Sequence, residues 1–157
     1  MKEIDFFLNT MPQHGWEVKT SHSLTVDLPE HITKRYKKIP NDFLYFLKKV
    51  KTCVSKDEKF WFITLDDYKG IADSAFSWDE IEKMSLIEND DEYNNTIKKF
   101  WDLHLPIALS VRNGYEYYAI DLRENIGAIV YGYDPEFEET EKIADTFIQF
   151  INILLLH

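Results

Sequence analysis

The chain has 157 residues, of which 45% are hydrophobic and 15% aromatic, and its formal net charge is −10. This length fits one domain whose core is large enough to fold without disulfides or a structural metal, and the apolar content excludes a chain that is disordered throughout. Residues 60–157 carry 7 Lys and Arg against 20 Asp and Glu, which disfavours direct nucleic-acid binding and favours a basic protein partner. The alternative is that the acidic surface serves only solubility.

The targeting and cysteine patterns predict a cytoplasmic protein. Cys53 is the single cysteine, so it cannot form an internal disulfide, and no cysteine or histidine stands near it at zinc-ligand spacing. The N-terminus does not have the pattern of a signal peptide. No apolar run approaches the roughly 20 residues that a membrane span needs. We therefore expect no membrane association, no metal and no cofactor.

In the N-terminal half, prolines and apolar spacing predict short helices followed by a strand. The predicted elements are a helix around residues 4–11, a helical turn after Pro29, a helix beginning at Asn41 or Asp42, and a strand at Lys59–Leu65. The strand sequence, KFWFITL, is apolar on both faces, which is typical of a strand that is covered on both sides.

The C-terminal half predicts two more helices, a three-stranded meander and a final helix. The predicted elements are a helix after the Ser77–Glu80 capping box, a helix at Asp91–Trp101, strands at Pro106–Arg112 and Tyr115–Leu122, a strand ending at Tyr133, and an amphipathic helix at about Thr140–Leu156. The order predicts an α+β fold in one domain, residues 1–157, with an antiparallel or mixed sheet, N-terminal helices, and the C-terminal helix packed on the sheet.

The strongest local signal is the dipeptide Asn113-Gly114 between two alternating runs, which predicts a two-residue type I′ hairpin turn. That turn would pair Leu109 with Tyr118 and place both on the core face. The opposite, half-polar face would hold Arg112, Tyr115, Tyr117 and Asp121. Tyrosine and arginine often anchor protein interfaces, so these four residues are predicted to bind a partner, unless a loop or the N-terminal segment covers them.

A second candidate surface is the acidic run DPEFEETEKIAD, in which Asp134, Glu136, Glu138 and Glu139 precede a single lysine. One interpretation is that these charges lie at a helix N-terminus on a solvated face. The other is that they form a docking patch for a cationic partner, and they are included among the predicted partner-binding residues.

The sequence contains no pattern of a common catalytic site. It has no P-loop, no dinucleotide-binding glycine motif, no G-x-S-x-G and no H-E-x-x-H, and its five histidines are scattered. Cys53 lies beside lysines, but no base is indicated that would activate it. We expect a protein that is not an enzyme. A ligand pocket between the Tyr115/Tyr117 face and the N-terminal helices is the remaining alternative.

Two blocks of the chain resemble the SUKH superfamily, the Smi/Knr-like family named in part for fungal cell-wall regulators. The first block has Pro40, Asp42, Phe43, Phe46 and Leu47, and the second has Leu105, Pro106, Ile107, Ala108, Gly114, Tyr118, Asp121 and Leu122. The resemblance runs from about Leu28 to the end and leaves residues 1–27 outside the motif. The Asn-Gly pair that usually follows the first helix in the family is absent here, where the sequence is KVKTCVSKDEK.

The resemblance implies that the protein binds another protein and has no enzymatic activity. Bacterial members of the family are chiefly immunity proteins that bind and neutralise a toxin, often a nuclease. The expected function is therefore neutralisation of a basic toxin partner by surface occlusion, and the alternative is a regulatory scaffold or adaptor like the fungal relatives.

Overall fold

A computed structural model describes all 157 residues. Seven strands form one antiparallel sheet in which every strand pairs with its neighbours in the sequence. The strands are β1 (Glu17–Thr20), β2 (Val50–Val54), β3 (Phe60–Phe62), β4 (His104–Ser110), β5 (Glu116–Asp121), β6 (Ile129–Tyr133) and β7 (Glu141–Ala144). The helices are α1 (Lys2–Thr10), α2 (Glu30–Arg35), α3 (Asn41–Lys49), α4 (Leu65–Lys69), α5 (Glu80–Ser85), α6 (Asp91–Asp102) and α7 (Phe147–Leu155). The predicted α+β class is confirmed, and no helix has the length and apolarity to cross a membrane.

Helices α3 and α7 cover one face of the sheet, with α1 packed beside them. Phe46 of α3 lies 4.9 Å from Phe62 of β3 and 5.1 Å from Phe147 of α7, measured between ring centroids. Tyr118 of β5 lies 5.0 Å from Phe150 of α7. The C-terminal helix therefore packs on the sheet as predicted, and the aromatic contacts form the centre of this layer.

The opposite face of β4 and β5 is covered as well. The Tyr117 ring lies 4.8 Å from that of Trp101 on α6, and the Tyr68 hydroxyl of α4 donates to the Pro106 carbonyl at 2.5 Å. All seven residues of β4 are consequently buried. The prediction that this second face would be partly open is wrong for the middle of the sheet.

Strands β2 and β7 were not predicted. The run at Val50–Val54 pairs with β1, and Glu141–Ala144 pairs with β6. The final helix therefore begins at Phe147 instead of about residue 140, with the Thr146 side chain accepting from the Gln149 N–H at 3.0 Å. Ile143 has helical spacing relative to the residues of α7, which explains why the helix was predicted too long.

A charged cluster joins three helices on the α6 side. Arg35 at the end of α2 donates to both carboxylate oxygens of Glu82 on α5, at 2.9 and 2.8 Å, and to Asp102 of α6 at 2.8 Å. Burial is the largest single effect and lowers the pKa of the Arg35 guanidinium, but the hydrogen bonds to Glu82 and Asp102 and the charges of Glu82 and Tyr36 together outweigh it, so the pKa is raised. The paired fork geometry fixes the relative positions of α2, α5 and α6.

Replacement of Glu82 by glutamine is expected to lower the free energy of unfolding by about 1.5–3 kcal/mol, because it removes the charged partner of a partly buried guanidinium. Asp102→Asn is the matched control, since the Asp102 side chain is half exposed, and should cost less than about 1 kcal/mol. Urea unfolding of both variants measures the difference. Equal losses would contradict a dominant role for the Arg35–Glu82 pair.

Candidate partner-binding surface

The β4–β5 hairpin has a longer connection than the predicted two-residue turn. Ser110 pairs with Glu116, and Leu109 pairs with Tyr117, so the register differs by one residue from the prediction. The buried Glu116 carboxylate accepts from the Ser110 hydroxyl at 2.8 Å and from the Asn113 N–H at 3.2 Å, and the Tyr131 hydroxyl also donates to it. A buried carboxylate needs such donors, and they determine the register.

Two predicted partner-binding residues lie in the interior, because α6 and the β6–β7 connection cover the face of β5 that was predicted to be open, so their predicted exposure is wrong. Tyr117 has no exposed surface, and its hydroxyl donates to the Phe137 carbonyl. Burial raises the pKa of this hydroxyl. Asp121 is 8% exposed at the other end of β5, where it accepts from the Arg123 N–H at 2.7 Å. The rings of Trp101 and Phe137 pack against Tyr117, so Tyr117 itself is part of the core.

Arg112 and Tyr115 remain at the surface, at the tip of the hairpin. Arg112 donates to the two carboxylate oxygens of Asp57 at 3.0 and 3.2 Å, which lowers the pKa of Asp57. Tyr115 is 42% exposed, and its ring edge contacts Phe76 at a centroid distance of 5.9 Å. Arg112 is thus already paired, whereas Tyr115 keeps free surface for a partner.

The acidic run lies in the connection between β6 and β7 and not at a helix N-terminus. Glu138 turns inward, where one carboxylate oxygen accepts from the Trp101 Nε1–H at 3.0 Å and from the Ser85 hydroxyl at 2.8 Å. Asp134, Glu136 and Glu139 are exposed. Glu138 therefore fixes this connection to α5 and α6, and the other three carboxylates face solvent.

Glu136 and Glu139 line a shallow groove of about 180 Å³ on the α7 side of the sheet. We call this the acid–tyrosine groove, and its lining residues are Tyr131, Tyr133, Pro135, Glu136, Glu139, Thr140 and Glu141. The Tyr131 and Tyr133 rings lie 5.5 Å apart, and Tyr133 is among the most exposed aromatic residues of the chain. Asp134 does not line the groove, but its N–H donates to the Tyr115 carbonyl at 3.0 Å and so attaches the groove to the hairpin tip.

The charge of the groove is uncompensated. No Lys, Arg or His lies within 4.0 Å of the carboxylates of Glu136, Glu139 or Glu141. The hydrogen bond and the negative charge of Glu136 raise the pKa of Glu139. A cation brought to the groove would relieve this repulsion, and the tyrosine rings offer it a π-face. The groove is suited to a lysine or arginine side chain of a partner protein.

Three members of this surface, Tyr131, Tyr133 and Glu141, were not predicted from the sequence. Tyr131 and Tyr133 stand two positions apart in a predicted strand, so period-two alternation would have placed both rings on one face. Glu141 was assigned to the final helix. Its pairing opposite Tyr131 depends on β7, for which the sequence has only a weak strand pattern.

The single cysteine does not contribute to the surface. Cys53 lies in β2, where it is buried, and burial raises the pKa of its thiol. A buried, protonated thiol is a poor nucleophile, and no base lies in hydrogen-bond contact with it.

The fold and the surface together describe an α+β protein with an acidic, tyrosine-lined surface on a rigid sheet. The model of the SMI1 / KNR4 family (SUKH-1) matches residues 25–153, which is well over half of the chain, and the chain belongs to this family. The match begins after β1 and covers everything from α2 into α7, including the acid–tyrosine groove. No curated protein and no solved structure matches the chain.

Proposed function

We propose that this chain is an immunity protein of the SUKH type, which binds a toxin in the cytoplasm and neutralises it by covering its functional surface. Membership of the SMI1 / KNR4 family supports this function. In this proposal the protein has no catalytic role, uses no cofactor, and acts by forming a complex.

The acid–tyrosine groove is the observation that carries the proposal. Its carboxylates have no internal cations, and its two tyrosine rings stand on a strand whose backbone is fixed by β5 and β7. Interfaces use tyrosine because it offers a large contact area at low cost in conformational entropy. The exposed Tyr133 and the half-buried Tyr131 next to unpaired acids are therefore suited to a basic protein surface.

A nuclease is the class of toxin that fits this charge best. A nuclease needs basic residues to hold the phosphates of its substrate, and a partner with 20 acidic and 7 basic residues in its last 98 positions would compete for those residues. The same charge would accelerate association through long-range attraction, as it does for other protein pairs of opposite charge. Tyr115 and the exposed Asp134 extend the candidate contact area beyond the groove.

The direct test is co-expression of this chain with the product of the adjacent gene, or of any toxin gene nearby. We expect growth to be restored and the two proteins to co-purify as a stoichiometric complex. Continued toxicity, with both proteins expressed and folded and no complex recovered, would contradict the immunity function.

A non-catalytic regulatory scaffold is the second candidate, and the SMI1 / KNR4 name of the matching family favours it. Such an adaptor would use the same surfaces for a cellular partner and would have no toxin gene beside it. The genomic neighbourhood distinguishes the two: an adjacent toxin-like reading frame favours immunity, and an isolated gene favours the scaffold.

A further inference from the structure

The half of the sheet formed by β1, β2 and β3 has one face without a helix on it. On this face Val54 of β2 pairs with Glu17 of β1 and with Trp61 of β3. Phe60 and Phe62 point to the other face of the sheet. Val54 and Trp61 are only half-buried, and Glu17 is exposed. In the neighbouring strands the same side of the sheet is sealed by α6. The β1–β3 face is therefore a sheet surface without a covering helix, and the indole of Trp61 at its centre is stacked on Phe76.

A cleft of about 340 Å³ separates this face from the segment that follows α4. Gly70 ends α4 in the left-handed conformation, with a φ of +73°, and the Ser74 hydroxyl donates to Asp67 at 2.8 Å. These two features hold the segment beside the sheet. Trp61, Val54 and the 70% exposed Ile71 provide the apolar lining.

A second cleft of about 430 Å³ adjoins the first and shares Asp67, Ala72 and Ser74 with it. Phe76 lines the second cleft and stacks on Trp61, with the ring centroids 5.7 Å apart and the planes inclined by 22°. We call the two adjacent clefts the trough, and the stacked pair of Trp61 and Phe76 lies between them. Two adjacent clefts suit an extended peptide segment better than a single small molecule.

The charge of the first cleft indicates which kind of partner side chain it binds. Asp66 and Asp73 line it, and neither has a Lys, Arg or His within 4.0 Å. Lys51 lines the same cleft but forms no ion pair with either carboxylate. The lining therefore combines an aromatic surface with unpaired negative charge.

We propose that this trough binds an arginine-bearing extended segment of a partner protein, with the guanidinium against Trp61 and its charge facing Asp66 and Asp73. Arginine fits better than lysine because its guanidinium is planar, weakly hydrated and able to stack on an aromatic ring while hydrogen-bonding carboxylates. Ile71 contacts the apolar parts of the segment. The site lies apart from the acid–tyrosine groove and stands whether or not the chain binds a toxin.

The test is a titration of the ¹⁵N-labelled protein with the acetylated, amidated peptide Gly-Ser-Arg-Ser-Gly, followed at the Trp61 indole N–H. We expect a saturable shift with a Kd of about 1 mM or below, as is usual for a single anchoring side chain. The same peptide with citrulline, the neutral isostere of arginine, should not bind, and the lysine peptide should bind at least about threefold more weakly. Absence of a saturable shift, or equal binding of the citrulline peptide, would overturn the proposal.

Two variants test the residues without disturbing the core. Asp66→Asn combined with Asp73→Asn should weaken the arginine peptide at least about tenfold, and Ile71→Ser should weaken it measurably, since all three side chains are at or near the surface. The matched control, Glu88→Gln with Glu92→Gln, removes the same charge from exposed positions outside the trough. An equal loss in the control would show that only net charge matters and would also overturn the site.

Discussion

Replacement of Tyr117 by alanine is expected to lower the free energy of unfolding by about 3–5 kcal/mol, the range measured when large buried rings are truncated. The same change at Tyr115 is expected to cost less than about 1.5 kcal/mol. The two residues lie only two positions apart, but Tyr117 in β5 is fully buried against Trp101, and Tyr115 at the hairpin tip is 42% exposed. Tyr115 loses mainly its edge contact with Phe76. Urea unfolding of both variants beside the parent chain measures the two losses.

Gly132 provides the control for the position of the Tyr117 ring. It pairs directly with Tyr117, and a Cβ at this position would lie 2.5 Å from a ring carbon. Gly132→Ala should therefore destabilise the parent chain and cost much less when Tyr117 is already alanine. Equal losses for the two tyrosine variants, or additive losses for Gly132→Ala and Tyr117→Ala, would contradict the observed register.

The hairpin register could not be predicted from the turn dipeptide alone. Asn113-Gly114 favours a two-residue turn, and that turn would have placed Glu116 opposite Val111, which has no side-chain donor. In the structure the carboxylate lies opposite Ser110 and receives three hydrogen bonds instead. A one-residue slip reverses the face of every paired side chain, so Leu109 moved to the side of Tyr117.

Most helices and the central strands could be predicted because their signals are local, but α4 was missed, since Leu65 was assigned to the preceding strand. The acidic start of α6 and the buried Ile4 and Phe7 of α1 follow from spacing and capping within a few residues. β7 is short and charged, with Glu141 and Lys142 among its four residues, so it has little strand propensity of its own. β2 is also short, although Val50, Thr52 and Val54 favour a strand. Their pairing with β1 and β6 is a tertiary effect.

The candidate surface could be predicted only in part, for a similar reason. Glu136 and Glu139 are exposed as the acidic run suggested, but Glu138 between them is held by Trp101, which lies 37 positions earlier in the chain. An indole N–H that is otherwise buried needs an acceptor, and no sequence pattern states which carboxylate will supply it. The inward orientation of the Glu138 side chain depends on the tertiary packing of α6 against the β6–β7 connection.

Charge reversal in the acid–tyrosine groove is the second change with a large expected effect. Glu136→Lys combined with Glu139→Lys should reduce the association rate with the neighbouring toxin domain by at least about tenfold at low salt. The difference should shrink as salt is raised, because screening acts on exposed charges. Stopped-flow mixing at several salt concentrations measures both effects.

Two controls make the charge-reversal experiment specific. The double variant Glu88→Lys with Glu92→Lys changes the net charge by the same amount. Both positions are exposed and lie just before or at the start of α6, on the other side of the sheet. This control should slow association less than the groove variant does. The melting temperature of the groove variant should stay near that of the parent chain, because neither glutamate bonds to the core. Unchanged association in the groove variant would place the binding surface elsewhere.

Hydrogen exchange on the chain with and without the toxin domain tests the proposed function and its surface together. We expect the bound toxin to slow exchange in residues 131–141 and at the hairpin tip, residues 112–116, while the β1 edge exchanges as before. Protection confined to the β1–β3 half would contradict the proposed surface, and no protection at all in a mixture where the toxin stays active would contradict the proposed function.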